Sequence, residues 1–269
     1  MMLKTVIMTA TTVCLVFFST SAIQAQKTDL KKVKIIAHRG ASFHAPENTI
    51  ASAKLGWQQK ADAVEIDIHL SADKKIMVMH DAGTKRTTGK DYKIATTTSD
   101  TLRKLDAGSW KAAEFKGEKV PFLSEILELI PKKQKLVIEI KSNKELVPLL
   151  KDQIEKSGKK KQCIIISFDF DALVDVKNVM PDIPAYYLSS KVTPQIFEEL
   201  LTRLRENKID GLNLNFTTIS PEVAALCKKN NIPLLAWTVD DPVVAKKLIA
   251  MGVTAITTNK PKEMREALK

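Results

Sequence analysis

An α/β fold, and within that class a (β/α)8 barrel, is predicted by the alternation of short β-rich runs with helical patterns along nearly the whole chain. Two further observations support the barrel. Pro194, Pro221 and Pro242 each open a helical pattern directly behind a capping candidate, Thr193, Ser220 or Asp241. The residues able to do chemistry fall in, or at the ends of, the apolar runs, where parallel barrels build their sites. A doubly wound open sheet is the alternative architecture.

The elements read in order. Val33–Ala37 is a first strand, and Asn48–Gln59 a helix with Ile50, Ala53 and Trp57 on one face. Ala63–His69 and Ile76–His80 follow as strands. A polar, turn-rich insertion over 82–118 has little periodicity. Phe122–Ile130 is helical and stops at Pro131, and Leu136–Lys141 is a strand. Strands at Cys163–Ser167, Ala185–Leu188, Gly211–Asn215, Pro233–Val239 and Ala255–Thr258 then alternate with helices near Lys144–Lys156, Asp171–Val179, Pro194–Glu206, Pro221–Asn230 and Pro242–Met251. That makes about nine strands, one more than the barrel holds, so one is expected to pair outside the main order. No repeat or low-complexity linker divides 26–269, which is read as a single domain.

The first residues read as an address. Lys4, the apolar Val6 to Phe18 and the small, polar Ser19 to Ala25 match the pattern of a signal peptide over 1–25, with cleavage expected after Ala25. The chain is therefore expected to be exported, to the periplasm or beyond the cell. Removing the leader takes Cys14 with it; Cys163 and Cys227, without a CxxC neighbour, are expected to be buried free thiols. The formal charge of +11 is carried largely by lysine, in clusters such as Lys159-Lys160-Lys161 without interleaved aromatics. A solvated basic surface explains it, and such a field also draws anionic substrates or brings the protein into peripheral contact with a membrane surface. No nucleic-acid-binding motif is present. Oligomeric state is left open.

Side chains two apart on a strand share a face, so Glu65 projects with Asp67, and Glu139 with Lys141. Carboxylates alternating with Ile and Val on buried strands are costly unless paired or metal-bound. A single such pair fits a core salt bridge; two strands with the same pattern fit it less well. Three carboxylates without cysteine suit a hard cation, Mg2+ or Ca2+. His38 ends one strand, followed by Arg39-Gly40, and His80 ends another, followed by Asp81. His69 shares parity with the carboxylates but lies further along and is read as peripheral. His44, in a loop, has no evident role.

The chain resembles the glycerophosphodiester phosphodiesterase family, related in fold to phosphatidylinositol-specific phospholipase C. The resemblance rests on His38-Arg39-Gly40-Ala41-Ser42, Ala45-Pro46-Glu47-Asn48-Thr49, Glu65-Ile66-Asp67, His80-Asp81 and Arg86-Thr87-Thr88-Gly89. It continues with Leu105-Asp106-Ala107-Gly108, Pro121-Phe122-Leu123, Glu139-Ile140-Lys141, Ser167-Phe168 and Trp237-Thr238-Val239. It covers roughly residues 35 to 261, and the ordered series is far more specific than one His-Arg-Gly.

The resemblance implies a TIM barrel with a small insertion after His80. It also implies metal-dependent hydrolysis of glycerophosphodiesters to sn-glycerol 3-phosphate and an alcohol. His38 and His80 would be the acid–base pair, and Glu65, Asp67 and Glu139 the ligands of one divalent cation. Arg39 would contact the phosphate, Lys141 would add positive charge, and Trp237 would wall the pocket unless it is only barrel packing. Glu47 would orient Arg39 or cap the following helix. The family pattern departs at Ser71-Ala72-Asp73-Lys74, at Phe122 and at Asn259, where Thr-Asp-x-Pro appears as Thr258-Asn259-Lys260-Pro261. None of these removes a proposed catalytic group, so they are expected to bear on substrate choice and not on chemistry. Two other functions remain open: a phospholipase-type enzyme for lysolipids or inositol lipids, and a non-catalytic binder of glycerophosphoryl groups. The first predicts an apolar rim, for which Tyr92, Trp110 and Phe115 of the insertion are too few to decide.

Overall fold

Eight parallel strands close on themselves in a computed structural model that describes residues 30–141 and 145–269. The signal peptide expected over 1–25, with Cys14, lies outside the described residues. The strands are β1 (Lys34–Ala37), β2 (Ala63–Leu70), β3 (Ile76–Val78), β4 (Lys135–Ile140), β5 (Cys163–Ser167), β6 (Ala185–Ser189), β7 (Gly211–Asn215), β8 (Leu234–Trp237) and β9 (Ala255–Thr258). Their order is β1-β2-β4-β5-β6-β7-β8-β9, with β9 returning to β1 in the register Ile36↔Thr257. That closure excludes the open sheet. The ninth strand is β3, which runs antiparallel along the end of β2 with Ile68 opposite Val78 and so stays outside the barrel.

Two apolar layers follow from the period of two. Ile36, Ala63, Val137, Ile166, Leu188, Leu235 and Ala255 meet inside the barrel, one from each of seven strands. The eighth, β7, contributes Gly211, where a Cβ would come 3.0 Å from the ring of Tyr186 and 2.5 Å from Pro233 O. The alternate residues, such as Ile35, Val64, Ile66, Leu136 and Ile138, pack outward against the helices in the main core.

The helices begin where their caps direct. Ser220 accepts a hydrogen bond from Val223 N–H and Asp241 from Val243 N–H, each ahead of a proline in the first turn; Thr193 holds the same position without a side-chain bond. The first long helix is Ile50–Gln58, capped by Thr49 and not by Glu47. Between β3 and the helix Leu123–Leu129, short helical turns gather over a small core of Met77, Met79, Ile94, Leu102, Leu105, Ala107 and Val120. Cys163 and Cys227 are buried and free, and burial pushes their thiols up to about 12 and about 11. No helix among the described residues is long and apolar enough to cross a membrane.

Candidate active site

The site is assembled at the C-terminal ends of the strands, and its tightest element is the turn after β1. His38 N–H donates to Thr258 O at 2.9 Å, extending the β1–β9 ladder by one residue. Arg39 and Gly40 then both take left-handed backbone, φ 54° and 81°. The reversal aims Arg39 N–H at Glu65 Oε2, 2.8 Å away, and Gly40 N–H at Glu65 O, 3.2 Å away. A Cβ on Gly40 would lie 2.4 Å from the carbonyl carbon of Ser52, so only glycine fits.

Glu65 and Asp67 stand on β2, and β4 sets Glu139 directly opposite Asp67. All three are buried, and one oxygen of each lies within 4.8 Å of the others. Glu65 Oε1 has no hydrogen-bond partner, and Asp67 Oδ1 and Glu139 Oε1 meet the ammonium of Lys141 at 3.2 and 2.6 Å without a well-directed bond. Burial, then the charges of Asp67 and Glu139, pushes Glu65 well above the ordinary carboxylate range. Burial and Asp67 take Glu139 up to about 7. Burial acts in the same direction on Asp67, but Lys141 and Arg39 outweigh it and hold that carboxyl low. Three buried acids with unsatisfied oxygens, two of them resisting ionisation, fit a hard divalent cation.

The cations flank this cluster. Arg39 Nη1 donates to Glu47 Oε1 at 2.8 Å, and its Nε lies 3.5 Å from Asp67 Oδ2. Glu47 thus orients Arg39, the first of its two expected roles. Asn48, with φ 57°, exchanges two hydrogen bonds with Asp67: Nδ2 donates to Oδ2 at 2.7 Å, and the Asp67 N–H donates to Oδ1 at 3.1 Å.

The two histidines have different partners. His38 Nδ1 lies 2.8 Å from Asn259 Oδ1, while Asn259 Nδ2 donates to Asp240 Oδ2 at 2.7 Å. A carboxylate only accepts, so the amide is fixed with its oxygen toward His38. His38 must then carry its proton on Nδ1 and leave Nε2 bare. Burial, helped by Arg39, lowers His38 to about 4, so the ring is neutral at physiological pH. His80 instead sets Nδ1 2.7 Å from the Asp81 carboxylate, with Met79 N–H bonded to Asp67 O at 3.0 Å just before it. His69, expected to be peripheral, supports this arm, with Nε2 3.1 Å from His80 O. His44 pairs with Glu263 at 3.1 Å.

On the far side, Trp237 ends β8 and donates from Nε1 to Asn213 O at 3.0 Å. Its ring meets Phe168 edge-on at 5.4 Å, and Lys141 Nζ lies 5.9 Å from the centre of the Phe168 ring. The eight residues singled out from the sequence therefore cluster at one mouth of the barrel. Two residues it assigned no role, Asn48 and Asn259, hold Asp67 and His38. The departure at Asn259, expected to bear on substrate choice, falls on the side chain that partners His38.

Two histidines, fixed cations and an acidic cluster that could hold a metal ion, gathered at the C-terminal mouth of a barrel, are the kinds of group that phosphoester hydrolysis uses. The glycerophosphoryl diester phosphodiesterase family model matches residues 38–263. A glycerophosphodiester phosphodiesterase of Caldanaerobacter subterraneus is 36% identical over 87% of this chain and 96% of its own. One from Bacillus subtilis is 31% identical over 91% and 90%. Among solved structures, an Oleispira antarctica phosphodiesterase in complex with the product sn-glycerol-3-phosphate superposes with a TM-score of 0.82. It is 32% identical, over 87% of this chain and 96% of that one. The chain belongs to the glycerophosphoryl diester phosphodiesterase family and is an enzyme, a phosphoric diester hydrolase.

Proposed function

We propose that this enzyme hydrolyses glycerophosphodiesters to sn-glycerol 3-phosphate and an alcohol, with His38 as general base and His80 as general acid. The carrying observation is the contrast between their partners: a neutral amide oxygen on His38 Nδ1, a carboxylate on His80 Nδ1. Glu65, Asp67 and Glu139 would hold one divalent cation, Mg2+ or Ca2+, which when bound polarises phosphoryl oxygens and acidifies a hydroxyl or water.

His38 Nε2 takes the proton of the attacking oxygen, either a neighbouring glycerol hydroxyl or water, as the new O–P bond forms. The P–O bond to the head group breaks, and the departing alkoxide takes its proton from His80. Such transfers contribute roughly 10²–10⁴-fold each. Where the glycerol hydroxyl attacks, water opens the cyclic phosphate with the two histidines exchanging roles. Arg39 and Lys141 offset charge growing on the phosphoryl oxygens, and Trp237 with Phe168 walls the side of the pocket. The test is release of glycerol 3-phosphate from glycerophosphocholine and glycerophosphoethanolamine with Mg2+, Ca2+ or EDTA, beside His38→Ala and His80→Ala. Cation-dependent release lost in both variants supports the reading. No release by folded protein with any cation refutes it.

A second reading, a phospholipase-type enzyme for lysolipids or inositol lipids, is favoured by exposed aromatics near this mouth. Phe43 and Trp110 are both exposed; Lys260 Nζ lies 4.3 Å from the Phe43 ring, and Lys111, beside Trp110, donates to Ser42 O at 2.8 Å. Aromatic and lysine side chains together suit a headgroup layer. Faster turnover of lysophosphatidylcholine than of glycerophosphocholine would select it. Export rests on the 1–25 leader alone: a mature form beginning at Gln26 supports it, and an intact Met1 start contradicts it.

A further inference from the structure

Arg86 lies outside the barrel, on the short helix Lys85–Thr88, and joins two side chains that hold opposite halves of the site. Its Nε donates to Asp81 Oδ2 at 2.7 Å and its Nη2 to Asp81 Oδ1 at 3.2 Å. Its other edge meets Glu47, with Nη1 to Oε2 at 2.9 Å and Nη2 to Oε1 at 2.8 Å. Both carboxylates are already engaged. Asp81 Oδ1 holds His80 Nδ1 at 2.7 Å, and Glu47 Oε1 holds Arg39 Nη1 at 2.8 Å. The chain of contacts is continuous: His80, Asp81, Arg86, Glu47, Arg39.

We propose that Arg86 is a positioning residue that fixes the general-acid histidine and the phosphate-side arginine relative to each other, resting on the roles given above to His80 and Arg39. The reason is geometric. A planar guanidinium can grip one carboxylate along its Nε edge and another along its terminal edge, and both are then fixed in one plane. Remove it, and Asp81 is free to rotate away from His80 while Glu47 loses one of two cations. A displacement of about 1 Å at a reacting group can cost about 10²-fold in rate.

Arg86 is nearly half exposed, with 45% of its side-chain surface accessible, so its ion pairs are screened by water and add little to folding. A purely structural role and a positioning role therefore predict different data. Positioning predicts that Arg86→Ala loses about 10- to 100-fold in kcat on glycerophosphocholine with its melting temperature little changed. Arg86→Lys recovers little, because one ammonium cannot grip two carboxylates edge-on.

The experiment measures kcat, KM and melting temperature for wild type, Arg86→Ala, Arg86→Lys, Asp81→Ala and the Arg86→Ala/Asp81→Ala double variant, alone and with added guanidinium or ammonium ion. The expected result is partial rescue of Arg86→Ala by guanidinium but not by ammonium, and no rescue of an Arg86→Ala/Asp81→Ala double variant. Wild-type kcat in Arg86→Ala overturns the proposal, as does a rate loss that tracks a large fall in melting temperature without guanidinium rescue. Failure of the wild type to turn over any glycerophosphodiester refutes the reaction itself, and the inference falls with it.

Discussion

Asn259 turns its carbonyl oxygen, not its amide nitrogen, toward His38, because Asp240 captures the nitrogen at 2.7 Å and the Asn259 backbone N–H at 2.7 Å as well. Ser42 Oγ donates to the same Asn259 oxygen at 2.8 Å. His38 is thereby held as the tautomer with Nε2 free for a proton, by a residue more than two hundred positions away in the chain.

Restoring a carboxylate at 259 is not expected to help. Asn259→Asp would place two acids in contact and turn a donor into a second acceptor against Asp240, leaving a partly buried group unpaired at a cost of about 1–3 kcal/mol. The variant should lose activity. The reciprocal pair Asn259→Asp with Asp240→Asn restores one donor and one acceptor, and should recover more activity than either single change. Comparison of kcat across these three variants checks it; equal loss in all three would show that the contact does not set the chemistry.

The acidic cluster gives the cation-free protein a predictable pH dependence. Glu65 and Glu139 have folded values raised above the ordinary 4.5, Glu139 to about 7. A raised carboxyl contributes stability that is complete below its unfolded value and is lost as pH rises through its folded one. Below the unfolded histidine value of 6.5, His38 and His69, whose folded values are lowered, act with the opposite sign and offset this loss. In EDTA the melting temperature should therefore fall as pH rises from about 6.5 through about 7. Added Mg2+ or Ca2+ should raise it more at the upper end, since cation and proton compete for the same oxygens. A melting temperature flat across this range and indifferent to cations would contradict the ligand assignment.

Gly40→Ala should be among the most damaging single-methyl additions in the chain. The new Cβ meets Ser52 backbone at 2.4 Å in a residue with φ 81°, combining a steric clash with left-handed strain. Each effect alone is worth about 1–3 kcal/mol. Chemical denaturation should show a loss of at least about 2 kcal/mol, and Gly89→Ala makes a control, because its positive-φ site has open space for a Cβ. Equal small losses in both would argue against the packed turn.

The signals legible in the sequence were local ones. β-branched runs, prolines behind caps and a period of two on β2 and β4 are sufficient to place eight strands and three convergent carboxylates. A strand surplus of one was also visible, but nothing local distinguishes the antiparallel β3 from a barrel strand, because both read as short buried apolar runs. The polar partners were harder. Asn259, held by Asp240, reaches His38 only because β9 closes against β1, a contact between the two ends of the barrel. Asn48 reads as the first residue of a helix, whereas the structure starts that helix at Ile50 and the left-handed backbone of Asn48 turns its amide onto Asp67. Arg86 matches a motif, yet its meaning lies in two carboxylates on separate loops.

The proposed division of labour between the histidines is tested most directly by changing the leaving group. Glycerophospho-p-nitrophenol releases p-nitrophenolate, a leaving group that needs no proton, so this substrate removes the demand for a general acid and keeps the demand for a base. With this substrate His80→Ala should recover most of the rate it loses on glycerophosphocholine, while His38→Ala should stay impaired. Recovery in His38→Ala with none in His80→Ala would contradict the account and exchange the two roles.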